Sequence, residues 1–195
     1  MSKFFKKKNK GPAPYEARGF RSGFTLVEML VAVSIFTVSL LGIMAVLAGS
    51  IANTNYAKRK MVATYLAQEG IEFIRNVRDT EVLYTTSSGW ADFETAIRDC
   101  DSPGSSTKFC YFNDQNVIIE CDNGGQGPCD PLFYDPTTGK YNYSHIGGDS
   151  GFVRSIWAKD GSPNNEVKIF SKVEWTQGSG TYNIIFSENL FNWIE

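Results

Sequence analysis

Apolar residues fall into three patterns along the chain, and each predicts a different element. From Phe24 to about Ala52 they are nearly continuous, and after Glu28 no charge occurs until Lys58, a stretch of 29 residues. Roughly 20 apolar helical residues suffice to span a bilayer, so this run predicts a membrane-spanning helix. Past Asn53 the pattern turns amphipathic. Val62, Leu66, Gly70, Phe73 and Val77 fall near the 3.6 period, while Lys58, Arg59, Glu69, Glu72, Arg75 and Arg78 lie largely off that stripe. No proline occurs between Pro14 and Pro103, so a single helix of about 55 residues, from Phe24 to Arg78, is expected. At 1.5 Å per residue it would be about 80 Å long.

The third pattern is alternation with period 2. Val167, Ile169, Ser171, Val173 and Trp175 alternate with Lys168, Phe170, Lys172 and Glu174, which predicts a strand with one apolar face. Gln177-Gly178-Ser179-Gly180 is a turn signal, and Tyr182–Phe186 reads as the returning strand. Phe152–Ala158 reads as a third strand, joined through the loop Lys159–Asn165. The three predict an antiparallel meander whose apolar face covers the amphipathic half of the helix, an α+β architecture. Leu190-Phe191-Asn192-Trp193-Ile194 is too apolar for a free tail and is expected to dock on the sheet or at an interface.

Charge changes this picture by dividing the chain. The formal net charge of −2 hides a leader, residues 1–23, with seven basic groups (Lys3, Lys6, Lys7, Lys8, Lys10, Arg18, Arg21) against Glu16. Residues 24–195 carry 12 basic against 20 acidic groups, or −8, which argues against nucleic-acid binding by the body. Basic residues flanking a span stay in the cytoplasm, so the leader is expected inside and the acidic body outside. A secretory signal has an apolar region of only about 7–15 residues, so this longer run is expected to stay with the protein. Glu28 lies four apolar residues inside the run, where an ionisable group costs on the order of 2–3 kcal/mol. Snorkelling to the headgroups is one account of it. Cutting the chain between Gly23 and Phe24 gives another, because the new α-amine would supply a positive partner.

The segment Arg21-Ser22-Gly23-Phe24-Thr25-Leu26-Val27-Glu28, followed by an uninterrupted apolar helix, resembles the class III signal of bacterial type IV pilins and type II secretion pseudopilins. The close match covers about residues 19–53. The resemblance implies cleavage after Gly23 by a membrane-embedded prepilin peptidase, N-methylation of Phe24, and assembly with other pilin or pseudopilin subunits at an inner-membrane platform. In that family a carboxylate at the position of Glu28 neutralises the terminal amine of a neighbouring subunit. The stretch Ala63–Glu72 is similar to minor pilins and pseudopilins more than to major ones, and Ala45 stands where family members often carry a kinking proline.

On this reading residues 1–23 are a removable leader, 24–52 the transmembrane and assembly half of the helix, and 53–78 its amphipathic half. Residues 79–150 form an irregular, disulfide-containing αβ-loop region, and 151–195 the antiparallel meander of a pilin-like head. The subunit is stored in the cytoplasmic membrane and then placed in a pilus or pseudopilus. The competing readings are a major pilin and a signal-anchored extracytoplasmic enzyme or receptor.

Catalysis finds little support. The single histidine, His145, sits in a Gly-flanked stretch with no nucleophile elbow around it, and no Walker loop, dinucleotide fingerprint or paired-histidine metal motif occurs. No cofactor and no metal are expected. All four cysteines lie in the irregular region, and an even count outside the cytoplasm reads as disulfides. Three connectivities are possible. Local pairing of Cys100 with Cys110 and Cys121 with Cys129 is preferred because Pro103-Gly104 and Gly124-Gly125 permit chain reversal. Zinc is the competitor, weakened by the lack of Cys-x-x-Cys spacing. Asp99, Asp101, Asp122, Asp130 and Asp135 could offer oxygens to calcium but lack EF-hand spacing and read as turn residues. Asn142-Tyr143-Ser144 matches a glycosylation triplet, a pattern short enough to arise by chance.

Overall fold

The computed structural model describes residues 23–84, 88–100, 108–122, 124–160 and 165–192. The leader up to Ser22, Asp101, the Pro103-Gly104 reversal, loop residues 161–164 and Trp193-Ile194 lie outside the described residues. The chain divides between Gly49 and Ser50 into two units, and helix α1, Leu26–Tyr84, contributes to both. The helix runs six residues past the expected end at Arg78, since Asp79–Tyr84 contain no glycine or proline to stop it.

In the first unit α1 is apolar all round. Every described residue there is exposed, including Phe24, Leu26, Met29, Ile35, Phe36 and Leu47. The helix is long and apolar enough here to cross a membrane, and none of its most apolar stretch is buried. An uncovered surface of this kind in a helix long enough to cross a membrane fits a membrane anchor.

The second unit packs the rest of α1 on one seven-stranded antiparallel sheet. After α1 come the short helix α2, Gly89–Ala96, and a 3-10 turn, Arg98–Cys100. The strands follow: β1 Cys110–Phe112, β2 Ile118–Glu120, β3 Pro131–Asp135, β4 Lys140–Asn142, β5 Gly148–Asp160, β6 Glu166–Gln177 and β7 Gly180–Phe191. The predicted three-strand meander is β5-β6-β7, extended at both ends. Strand β5 pairs with β6 along one edge, and its other edge is shared, β3 taking Gly148–Val153 and β1 taking Ile156. Among the described residues, 79–150 therefore hold the end of α1, two further helical elements, four strands and the start of β5, more regular structure than the sequence led us to expect. The short strands β1, β2 and β4 have three residues each, too few for periodicity to show.

The β6–β7 hairpin closes through Gly178-Ser179, with Gln177 opposite Gly180 and Gly178 at φ +60°, a left-handed angle that glycine takes without strain. Alternation on β6 is as read: Val167, Ile169, Ser171, Val173 and Trp175 are all buried.

The stripe on α1 is rotated from the predicted one. Leu66 and Gly70 are buried as expected, but Val62, Phe73 and Val77 lie at its margin and the centre is Ala63, Ala67, Ile71 and Ile74. Small side chains form the closest contact because they let the helix backbone approach the sheet. A search for large apolar residues passes over them.

The core separates into two apolar clusters. One gathers Ile71 and Ile74 with Phe93, Ile97, Phe112, Ile156, Ala158, Val167, Ile169 and Leu190. The other gathers Ala63, Leu66 and Ala67 with Leu132, Phe152, Val173 and Trp175. Between them along β5, β6 and α1 lie Arg154, Ser171 and Gly70, a polar layer across the middle of the helix–sheet contact. Leu190 is 1% exposed, so the apolar C-terminal stretch begins in the core as expected, whereas Phe191 points to solvent.

Candidate functional site

The residues singled out for processing sit at the start of α1. Gly23 and Phe24 precede the helix, and Phe24 is 76% exposed. Thr25 caps the first turn: its Oγ1 accepts from the Glu28 N–H at 3.2 Å, and its carbonyl accepts from the Met29 N–H at 3.2 Å. Thr25-Leu26-Val27-Glu28 has the spacing of a capping box, which places the acidic side chain in the first turn, where the helix dipole favours negative charge. A methyl group built on Gly23 would meet no described atom within 4 Å. The fold itself therefore makes no demand for glycine at this position.

In the second unit the four cysteines form two disulfides, Cys100 with Cys110 and Cys121 with Cys129. The first ties the turn after α2 to the start of β1. The second closes the segment between β2 and β3. Around it pack Tyr111, Phe109, Ile119, Tyr143 and Val153. The Tyr111 hydroxyl donates to Asp130 Oδ2 at 2.7 Å, and burial together with that bond pushes its pKa up to about 12. Burial also raises Tyr143.

The remaining chemistry-bearing positions are occupied by turn work. His145 is in a left-handed turn at φ 59°, its ring 4.4 Å from that of Phe133. Asp135 accepts from the Thr137 N–H and the Thr138 hydroxyl, both at 2.8 Å, and these bonds hold its carboxyl below the usual range. Asp114, which sequence reasoning passed over, fastens the β1–β2 turn to the β4–β5 connection by accepting from the backbone N–H of Tyr143 and from the Ser144 hydroxyl. Asn142 of the glycosylation triplet bonds the backbone of Ile146 in both directions. No group of three or more His, Cys, Asp or Glu side chains arranged to hold a metal occurs among the described residues.

The buried residue that the sequence reading missed is Arg154, 2% exposed on the apolar face of β5. Its Nη1 donates to Glu69 Oε2 at 2.6 Å, and its guanidinium lies 3.8 Å from the centre of the Phe112 ring. A signal was present: an arginine between Phe152 and Ile156 at period 2 falls on the inward face.

Residues 18–44 match the family model of the prokaryotic N-terminal methylation motif. The chain carries a prepilin signal. Searches of curated proteins and of solved structures found no match. The prepilin signal supports a type IV pilin-like or pseudopilin precursor, processed by a peptidase, assembled with other pilins and anchored in a membrane before assembly. It points to a structural subunit. The described head agrees with such a subunit in plan: a long helix whose second half is covered by a C-terminal antiparallel sheet.

Proposed function

We propose that this protein is a minor pilin or pseudopilin, stored in the cytoplasmic membrane with its leader inside and its head outside. A prepilin peptidase cuts between Gly23 and Phe24, and Phe24 is N-methylated. The mature chain then enters a type IV pilus or type II secretion-like filament through an inner-membrane platform. The observation that carries the reading is the junction itself: an exposed Gly23-Phe24 directly ahead of a capped helix whose first stretch, to Ser50, is apolar and uncovered and holds a carboxylate in its first turn. Cleavage leaves an ammonium on Phe24 four residues from Glu28. Opposite charges about 4 Å apart attract by about 4 kcal/mol at an effective dielectric near 20, enough to offset the insertion cost of the carboxylate. Pairing Glu28 with the amine of an adjacent subunit gives extraction from the membrane a direction.

The test compares Glu28→Val with the wild type in the same cells. Leader removal should be unchanged, because the cut precedes the pairing, while recovery in sheared filaments should fall. Equal incorporation would reduce Glu28 to a snorkelling side chain. Quantitative mass spectrometry of the same filaments should find this subunit well below the most abundant pilin; parity would make it a major pilin.

A further inference from the structure

Strand β7 is a long strand with an open edge. Among the described residues it pairs with β6 alone, whereas the other outer strands, β2 and β4, have three residues each. Gln177 opposite Gly180 closes a two-residue turn, which fixes the direction of every backbone group along β7. Tyr182, Ile184, Phe186, Glu188 and Leu190 bond the β6 backbone, and the backbone groups of Thr181, Asn183, Ile185, Ser187, Asn189 and Phe191 face away from it. All six of the latter residues are exposed. Proteins blunt such an edge with proline, lysine or a bulge. Strand β7 has no proline, lysine or arginine, and its register with β6 runs unbroken from Gly180 to Phe191. Its single charge, Glu188, is held against the helix by Arg75 Nη2 at 2.6 Å.

The open edge adjoins a groove of about 570 Å³ between β7 and α1. Tyr65, Ile71, Glu72 and Arg75 line it from the helix, Phe186 and Glu188 from the strand. Ile184 and Phe186 are only partly buried, so α1 leaves the inner face of β7 incompletely covered. A strand laid about 4.8 Å beside β7 would pair the open backbone groups and send alternate side chains into that space. The groove also sets a charge: its acids, Glu69, Glu72 and Glu188, outnumber its one base, Arg75. Glu72 is the most open of the three, its side chain 65% exposed. A second copy's β7 has no basic side chain to offer such a groove. We infer that the β7 edge binds an extended strand of a different filament subunit, apolar at alternate positions and carrying a basic residue toward Glu72. The inference rests on the filament subunit proposed above, and it gives the head a backbone contact with its neighbour.

Hydrogen exchange of the full-length protein, in mild detergent and in sheared filaments, tests it. Incorporation should slow exchange about tenfold at the amides of Asn183, Ile185, Ser187 and Asn189, which face away from β6 in the isolated head. Ser187→Pro removes one edge N–H and spares the β6 ladder, so it should lower recovery in filaments about tenfold with thermal unfolding little changed. Ser187→Ala keeps that N–H and should be recovered like the wild type. Glu72→Gln should lower recovery about threefold, the effect of one exposed ion pair. The exchange measurement uses the wild type alone, so it decides the matter even where Ser187→Pro does not fold. Unchanged exchange on incorporation, equal recovery of Ser187→Pro and Ser187→Ala, or full recovery of Glu72→Gln would overturn the assignment. A dimer of the detergent-extracted protein with the same amides protected would also overturn it, in favour of a second copy. The two readings stay apart: absence of the wild type from filaments would contradict the filament subunit itself, and presence there with unchanged exchange would contradict the edge alone.

Discussion

Arg154 on β5 reaches Glu69 on α1 at 2.6 Å while its guanidinium stacks 3.8 Å from the Phe112 ring, so a fully buried cation joins helix to sheet between two apolar clusters. The pair is unequal. Arg154 is 2% exposed and Glu69 is 57% exposed. Removing the acid strands a charge in the core, whereas removing the base releases a carboxylate that water already reaches. Breaking a buried pair from one side costs about 3–5 kcal/mol, and screening at Glu69 brings the expectation for Glu69→Ala down to about 2 kcal/mol. Arg154→Met keeps the apolar stem and should cost less. Denaturant unfolding of the two variants tests the ranking; a larger loss for Arg154→Met would show that packing on Phe112, not charge, dominates.

Gly70 brings the same layer into contact from the helix side. A methyl group there would fall on Ser171 Oγ and lie 3.4 Å from Arg154 Cδ. Alanine gains about 1 kcal/mol of helix propensity, but overpacking typically costs 1–3 kcal/mol. Gly70→Ala should therefore be destabilising on balance, and the double variant Gly70→Ala with Ser171→Gly should recover most of the loss in thermal unfolding. Without recovery, the close approach at Ser171 is not what selects glycine.

The two disulfides each close a short loop, separations of 10 and 8 residues. In the chain-entropy model a loop of this size contributes about 2–3 kcal/mol. Replacing either pair by serine should lower stability by that order, and non-reducing peptide mapping should recover the peptides joined as Cys100 to Cys110 and Cys121 to Cys129. Free thiols in envelope material would contradict an outward-facing head.

Tyr111 supplies a pH dependence. Its pKa is raised to about 12 in the fold from the ordinary 10.0. The stability this shift represents is complete below pH 10 and is lost as pH rises through about 12, since the unfolded phenol ionises first. Unfolding followed between pH 9 and 12 should show stability falling, with a shallower slope for Tyr111→Phe.

Legibility in the sequence followed the strength of each local signal. The uncharged run from Met29 to Ala57, the alternation over Val167–Trp175 and the Gly178-Ser179 reversal were each readable because one period or one turn residue decides the element. The stripe on α1 was displaced because contact is made through Ala63, Ala67 and Gly70, whose importance lies in closeness and not in hydrophobicity. The strands β1 to β4 were hidden because each is short, β1 and β3 being held by long-range pairing to β5 and β2 and β4 by pairing to β1 and β3. For the proposed processing site the sequence carried nearly everything, since Gly23 leaves room for a side chain among the described residues and no packing contact there marks it.

The central claim, that this chain is a precursor cut at one bond, meets its most direct test in the intact mass and N-terminal peptide of the protein recovered from membranes and from sheared filaments. The account predicts a chain beginning at N-methylated Phe24 in the filaments, and a Gly23 variant carrying a bulky side chain that keeps its leader and stays in the membrane. Filament material that begins at Met1 would contradict it.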